Sequence, residues 1–368
     1  MNHVCRRALP ALLALGLSAG AVAQHESHDH EPRELTDIDI GAVDFETSCT
    51  PAVKDGFNRA VSLLHSFWFL QARAAFEEVL DADANCAMAQ WGIALTHWGN
   101  PFAASRTAEA VDLGRKAIDK AQATGKPTPR ERAYIDAVAI LFSSVDPGSY
   151  RDRIVRYEEA MQRVAATNGN DVEAQIFYAL ALAQAAPPED KGYVRQLKAG
   201  AILEPLFVRM PRHPGIAHYI IHAYDVPPLA SKALPAARVY ADIAPAVPHA
   251  LHMPSHTFTR VGMWQESVAT NTRSAEAAER GHEPGAVLHA LDYMTYAYLQ
   301  MAMDSQAKAS VARMRSTIES VEDEAGASML AGSFPAVSMP ARYALDREQW
   351  VEAAELPLPS VPMAPYVE

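Results

Sequence analysis

The sequence repeats itself across its centre. Residues 213–225 read HPGIAHYIIHAYD, and residues 248–260 read PHALHMPSHTFTR. At an offset of 34 residues, Pro214 falls on Pro248, His218 on His252, His222 on His256 and Tyr224 on Phe258. A duplication constrains the fold more than any bulk property, because each copy forms the same local unit and the copies stack to bury their apolar faces. On a helix, positions i and i+4 share a face. Each copy therefore presents a pair of imidazoles. Helices packed about 8–10 Å apart would bring the two pairs together.

A 34-residue period is that of tetratricopeptide repeats, helix–turn–helix units that pack one on the next. Ala236, Tyr240 and Pro248 match the second helix and closing proline of such a unit. Earlier, Ala72 and Phe76 keep the A-x3-F spacing, and Met88, Trp91, Gly92 and Leu95 take the first-helix positions of the next repeat. Helical patterns continue at 106–124, 129–143, 150–166, 172–185, 191–209, 265–280 and 340–356, and a further helix–turn–helix opens at His289. Thr128-Pro129 reads as a cap followed by proline in the first turn. The expectation is an all-α protein whose helix–turn–helix repeats stack as a right-handed α-solenoid over residues 46–356. One irregularity stands out. If the second His helix starts at Pro248, Pro254 lies inside it, removes a hydrogen bond and kinks it. If it starts later, Pro254 sits in the first turn and His249 on the loop.

The apolar share of 49% in 368 residues is ample for that core. Net charge is −12, with no clustered basic face, which argues against a nucleic-acid footprint. Residues 1–23 carry Arg6 and Arg7, an apolar run and Ala21-Val22-Ala23, the pattern of a cleavable secretory signal. The mature chain is then expected in the periplasm or outside the cell, with no stable membrane span. Two cysteines remain after cleavage, Cys49 and Cys86, and an oxidising compartment favours their pairing over free thiols. Residues 24–45 read as a disordered leader rich in His and acidic residues, and 357–368 as a proline-rich tail.

Several blocks look like those of a bacterial tetratricopeptide-repeat family, often exported. They are HPG-x-x-H-Y-x-I-H at His213–His222, H-A-L-H-M-P-S-H at His249–His256 and H-A-L-D-Y at His289–Tyr293. HSFWFLQARAAFEEVL (65–80) and CAMAQWGIAL (86–95) are similar to its N-terminal repeats. The resemblance implies the repeat fold from about Cys49 to Leu356 and carries no assigned chemistry.

His218, His222, His252 and His256 are the candidate metal ligands, since neutral imidazole suits Zn, Cu, Ni or Fe. Asp225, on the face of His222, and His249, His213 and His289 are further ligands or orienting groups. There is no H-E-x-x-H, so a hydrolytic zincin is not supported. The alternative is a polar ladder of Tyr219, His222, Thr257 and Arg260 that binds a peptide or small molecule with no metal. Three functions follow as expectations. The first is a His-rich concave groove that binds a peptide, protein or small-molecule ligand together with a transition metal. The second is a metal-dependent enzyme, redox or hydrolytic. The third is a structural assembly scaffold.

Overall fold

A computed structural model describes residues 35–103 and 106–357. Among them every regular element is helical. After a single turn, α1 (Asp37–Ile40), come α2 (Lys54–His65), α3 (Phe69–Ala82), α4 (Ala87–Trp98), α5 (Ala108–Ala123) and α6 (Pro129–Leu141). The middle of the chain holds α7 (Tyr150–Thr167), α8 (Val172–Gln184), α9 (Val194–Arg209), α10 (Pro214–Ala223) and α11 (Leu234–Ile243). Next are α12 (Pro248–His252), α13 (Pro254–Arg260), α14 (Trp264–Arg280) and α15 (Pro284–Gln300). The chain closes with α16 (Asp304–Glu319), α17 (Glu324–Ala331), α18 (Phe334–Leu345) and the short α19 (Trp350–Ala354).

Helices pack mainly on their neighbours in sequence, α2 on α3, α7 on α8, α14 on α15, with next-but-one contacts such as α2 with α4 and α8 with α10. One turn recurs between them. α2, α13, α14, α15 and α18 end at Phe67, Gly262, His282, Ala302 and Glu348, each in the left-handed region. In every case that residue's N–H bonds the carbonyl three back, and the next N–H bonds the carbonyl five back, as Trp68 N does to Leu63 O and Met303 N to Tyr298 O. This is the Schellman stop, which satisfies carbonyls a helix end leaves open. Close approach within a pair is fixed by small residues. A Cβ on Gly92 would sit 2.3 Å from the Phe76 ring, so α4 lies against α3 only because residue 92 is glycine. At α6, Thr128 Oγ1 accepts from Glu131 N at 3.2 Å and Glu131 Oε2 accepts from Thr128 N at 2.7 Å, the reciprocal cap that its sequence foreshadows.

The leader assignment fails from Leu35 onward. Ile40 and Phe45 are buried, and the Phe45 ring lies 5.4–5.6 Å from those of Phe57, Trp91 and Tyr134. The acidic residues masked this. Asp39 caps α1 by accepting from Thr36 N and Oγ1 at 2.9 and 2.8 Å. The expected signal, residues 24–34 and residues 358–368 of the tail lie outside the described residues. Cys49 and Cys86 are joined by a disulfide that ties the segment before α2 to the start of α4.

Pro254 has the first of its two expected consequences. The helix begins at Pro248 and its hydrogen bonding is interrupted at Met253, which keeps helical angles (φ −54, ψ −35), so α12 and α13 form one path with a break. His249 is therefore on the helix. The break lies within the larger of two apolar cores, to which Ala250, Met253 and Phe258 all belong. That core also includes Ile40, and the other includes Ala278 and Met339. Between them α14 buries Ser267, Thr270, Asn271 and Ser274, one polar stripe at helical spacing. Ser274 Oγ donates to Pro248 O at 2.8 Å, and Thr270 Oγ1 donates to Leu251 O. α2 also packs against α10, far along the chain, so the end of α2 reaches the histidine helices.

Candidate metal centre

The histidines come together as two sets of three. His218, His222 and His249 offer nitrogens that all lie within 4.8 Å of one another, and so do His252, His256 and His289. Each set is built by the same rule. An i, i+4 pair on one helix is completed by the His of a His-Ala-Leu triplet, His249 for the first pair and His289 for the second. Bound transition metals sit about 2.0–2.1 Å from imidazole nitrogen, so ligand nitrogens around one tetrahedral ion are separated by about 3.3 Å. His218 Nε2 lies 3.1 Å from His249 Nε2, and His252 Nε2 lies 3.0 Å from His256 Nε2.

The second of these contacts has no neutral explanation. His252 Nδ1 lies 2.7 Å from Asn271 Oδ1, and the Asn271 amide is fixed because its Nδ2 donates to Ser267 O at 2.8 Å. His256 Nδ1 lies 2.7 Å from Asp225 Oδ2. Both acceptors are oxygens without a proton, so both Nδ1 atoms carry the hydrogen and both Nε2 atoms present lone pairs. Two lone pairs at 3.0 Å repel unless a cation lies against them. A metal ion between the two nitrogens supplies that cation, as would a proton on the ring paired with Asp225. The His252 ring is pushed well below its usual range by burial and by the His289, His256 and His249 rings around it. In the first set, His218 Nδ1 donates to the His65 carbonyl at 2.6 Å, which again turns Nε2 toward its partners. His222 Nε2 is buried and has no hydrogen-bond partner.

These outer bonds are the arrangement that metal-ligating histidines use to fix tautomer and ring angle. Burial also keeps the three rings of the first set neutral, the form that ligates. His218 is pushed down to about 3 by burial, and burial together with the other histidines holds His222 and His249 well below the usual range. For Asp225 burial works upward, but the His256 and Arg260 partners win and hold the carboxyl below its ordinary value. Its Oδ1 accepts from Arg260 Nε at 2.9 Å. The Phe67 ring walls the first set, 4.4 Å from His218 and 5.4 Å from His249 between centroids, and its left-handed backbone (φ 55) costs about 1–2 kcal/mol for a residue with a Cβ.

A third group stands apart. Glu173 Oε2 accepts from His65 Nε2 at 2.9 Å and its Oε1 from His213 Nε2 at 2.9 Å, all three fully enclosed. Burial alone would raise the Glu173 carboxyl, but His213 and His65 beside it hold it well below the usual carboxylate range. The same His65 supplies the carbonyl for His218, so this network positions the first set from behind.

The centre is open on two sides. A cleft of about 770 Å³ is bordered by His256, His289, Tyr293, Trp264, Arg260 and Arg342. A second, of about 530 Å³, reaches His222, His249, His256 and His289 past Phe102. Arg342 is held by Asp292 at 2.7 Å. Tyr293 Oη lies 3.2 Å from His256 Nε2.

All four histidines of the duplicated pairs are therefore at the centre, but split between two sets rather than gathered in one. His249 and His289 are full members. Asp225 orients His256, and His213 belongs to the Glu173 network. The sequence reading passed over Asn271, Glu173 and the His65 carbonyl, none of which stands in a motif. The shared His-Ala-Leu of residues 249–251 and 289–291 was the signal that pairs each third histidine with its set. Comparison with protein-family models finds none that matches, and comparison with curated proteins finds none either.

Proposed function

We propose that this chain is an exported tetratricopeptide-type repeat protein that binds transition metal ions in its two three-histidine sets and admits a ligand to the clefts beside them. The lone-pair contact between His252 and His256, at 3.0 Å with both Nδ1 atoms committed elsewhere, carries the metal reading. Neutral nitrogen donors without thiolate or a ligating carboxylate favour Cu, Zn, Ni or Fe over Mg or Ca. The recurring Schellman turns, the neighbour-on-neighbour packing and the 34-residue offset support the repeat architecture. The HPG-x-x-H-Y-x-I-H and H-A-L-H-M-P-S-H blocks support membership of the exported repeat family. The Cys49–Cys86 disulfide suits an oxidising compartment.

A metal-dependent enzyme is the second reading. It is favoured by the cleft that reaches His256 and His289, since three protein ligands leave a coordination position for water or substrate. Elemental analysis of tag-free protein tests the metal reading. Transition metal is expected in the native protein and absent when His218, His222, His249, His252, His256 and His289 are all replaced by Ala. A folded native protein that neither carries metal nor takes up Zn or Cu overturns it.

A further inference from the structure

Building on that reading, we infer that the two sets form one dinuclear centre, in which two like ions share a bridging hydroxide. Three observations carry this. First, the sets interleave along a single helix. His249 belongs to one and His252 to the other, three residues apart on α12, where neighbouring side chains start about 5–6 Å apart. Second, rings of different sets come as close as the most widely spaced pair within each set. His222 to His256 and His249 to His252 are both 6.1 Å between centroids, whereas His222 to His249 and His256 to His289 are both 6.4 Å. Both sets therefore line one cavity, and the same cleft touches His222 and His249 of one and His256 and His289 of the other. A shared bridge needs the two ions at the spacing of two-metal centres, about 3.5–4 Å.

Third, the charge requires an anion. The six ligands are neutral imidazoles. The carboxylate nearest to them, Asp225, is already paired with Arg260 at 2.9 Å. Two divalent ions placed there carry four positive charges against a shell that offers almost no negative charge. Each ion has three protein ligands, so its open position takes solvent. Water lying between two cations loses a proton to the medium and remains as hydroxide, bound to both. This bridge is the position at which a small oxygen-donor ligand entering from the cleft would exchange.

Copper(II) is the probe, because its unpaired electron reports the bridge. Purified full-length mature protein is stripped with a chelator, reloaded with copper(II), freed of excess and examined for copper content and for integrated electron paramagnetic resonance intensity. Two coppers per chain with most of the resonance missing is the expected result, since a shared hydroxide pairs the two spins. His289→Ala, on the cleft side, and His222→Ala, half-buried, should each hold one copper per chain with a spin-to-copper ratio near one. Circular dichroism checks that each variant stays helical. Two coppers with a ratio near one in the native protein would mean separate sites, and would overturn the bridge while leaving the metal reading intact. One copper in the native protein overturns the pair. No bound copper removes the metal reading itself. The native protein alone decides the question should either variant fail to fold.

Discussion

Asp225→Asn isolates the role of one outer bond. Asp225 touches no expected ion. It accepts a hydrogen bond from His256 Nδ1 at 2.7 Å and is four-fifths shielded from solvent. The substitution keeps the size of the side chain and an accepting oxygen but removes the charge. A hydrogen bond to an ionised partner is worth about 1.5–3 kcal/mol and a neutral one about 0.5–1.5 kcal/mol. The difference, about 1–2 kcal/mol, corresponds to roughly 5–30-fold in affinity. Loss of Arg260's partner adds to this, and outer-shell substitutions at metal sites generally cost about 10–100-fold. We predict that the zinc affinity of the His252, His256, His289 set, measured by competition with a chromophoric chelator, falls about 10–100-fold, while the ion in the His218, His222, His249 set is held with little change. Asn271→Ala should fall less, because its bond to His252 is neutral, though it leaves a buried Nδ1 hydrogen without a partner. Unchanged binding in Asp225→Asn, or an equal loss at both steps, would refute the reasoning that Asp225 acts through His256.

Further outcomes follow from the same geometry. The Cys49–Cys86 link closes a separation of 37 residues, and a loop of that size lowers unfolded-chain entropy by about 4 kcal/mol at most. Urea unfolding of the Cys49→Ser, Cys86→Ser double variant should show a loss of about 2–4 kcal/mol, and equal stability would count against a formed bond. Glu173→Gln leaves either His65 or His213 with a poorer buried acceptor, so thermal melting should show about 1–3 kcal/mol of destabilisation, with reduced metal uptake through the His65 carbonyl. Gly92→Ala drives a Cβ into the Phe76 ring and should cost about 1–3 kcal/mol with metal content unchanged. For the metal-free protein the sign of the pH effect is set by histidines that stay neutral when folded. His218 titrates at about 3 in the folded chain, and an unfolded His titrates at about 6.5. Between those values the unfolded chain takes up protons that the folded one refuses, so stability is full above about pH 6.5 and falls as pH drops below it. Melting temperatures of chelated protein from pH 8 to pH 5 check this, and a flat profile would contradict it.

The helical class and many helix positions were legible because their signals are local. The Thr128-Pro129 cap, the small residue at Gly92 and the i, i+4 spacing of His218 and His222 need no distant partner to be read. The duplicated pairs also pointed to four of the six histidines that the two sets bring together. What stayed hidden depends on contacts across the chain. Asn271 looks like an ordinary polar residue of α14 until α12 is laid against it. Glu173 on α8 and His65 on α2 meet across a long stretch of sequence, because α10 packs against both helices. The split into two sets was not visible because nothing in the 34-residue offset says whether equivalent pairs face each other or each recruit the next histidine along. The acidic character of residues 35–45 concealed Ile40 and Phe45, whose burial depends on partners such as Trp91 and Tyr134 that the local pattern does not reveal.

Anomalous diffraction from crystals of the native protein, collected at the absorption edge of whichever transition metal it carries, tests the central claim most directly. The account predicts two peaks, one in each set, each about 2.0–2.1 Å from three imidazole nitrogens. Ordered imidazoles with no peak among them, in protein that had been offered the metal, would contradict it.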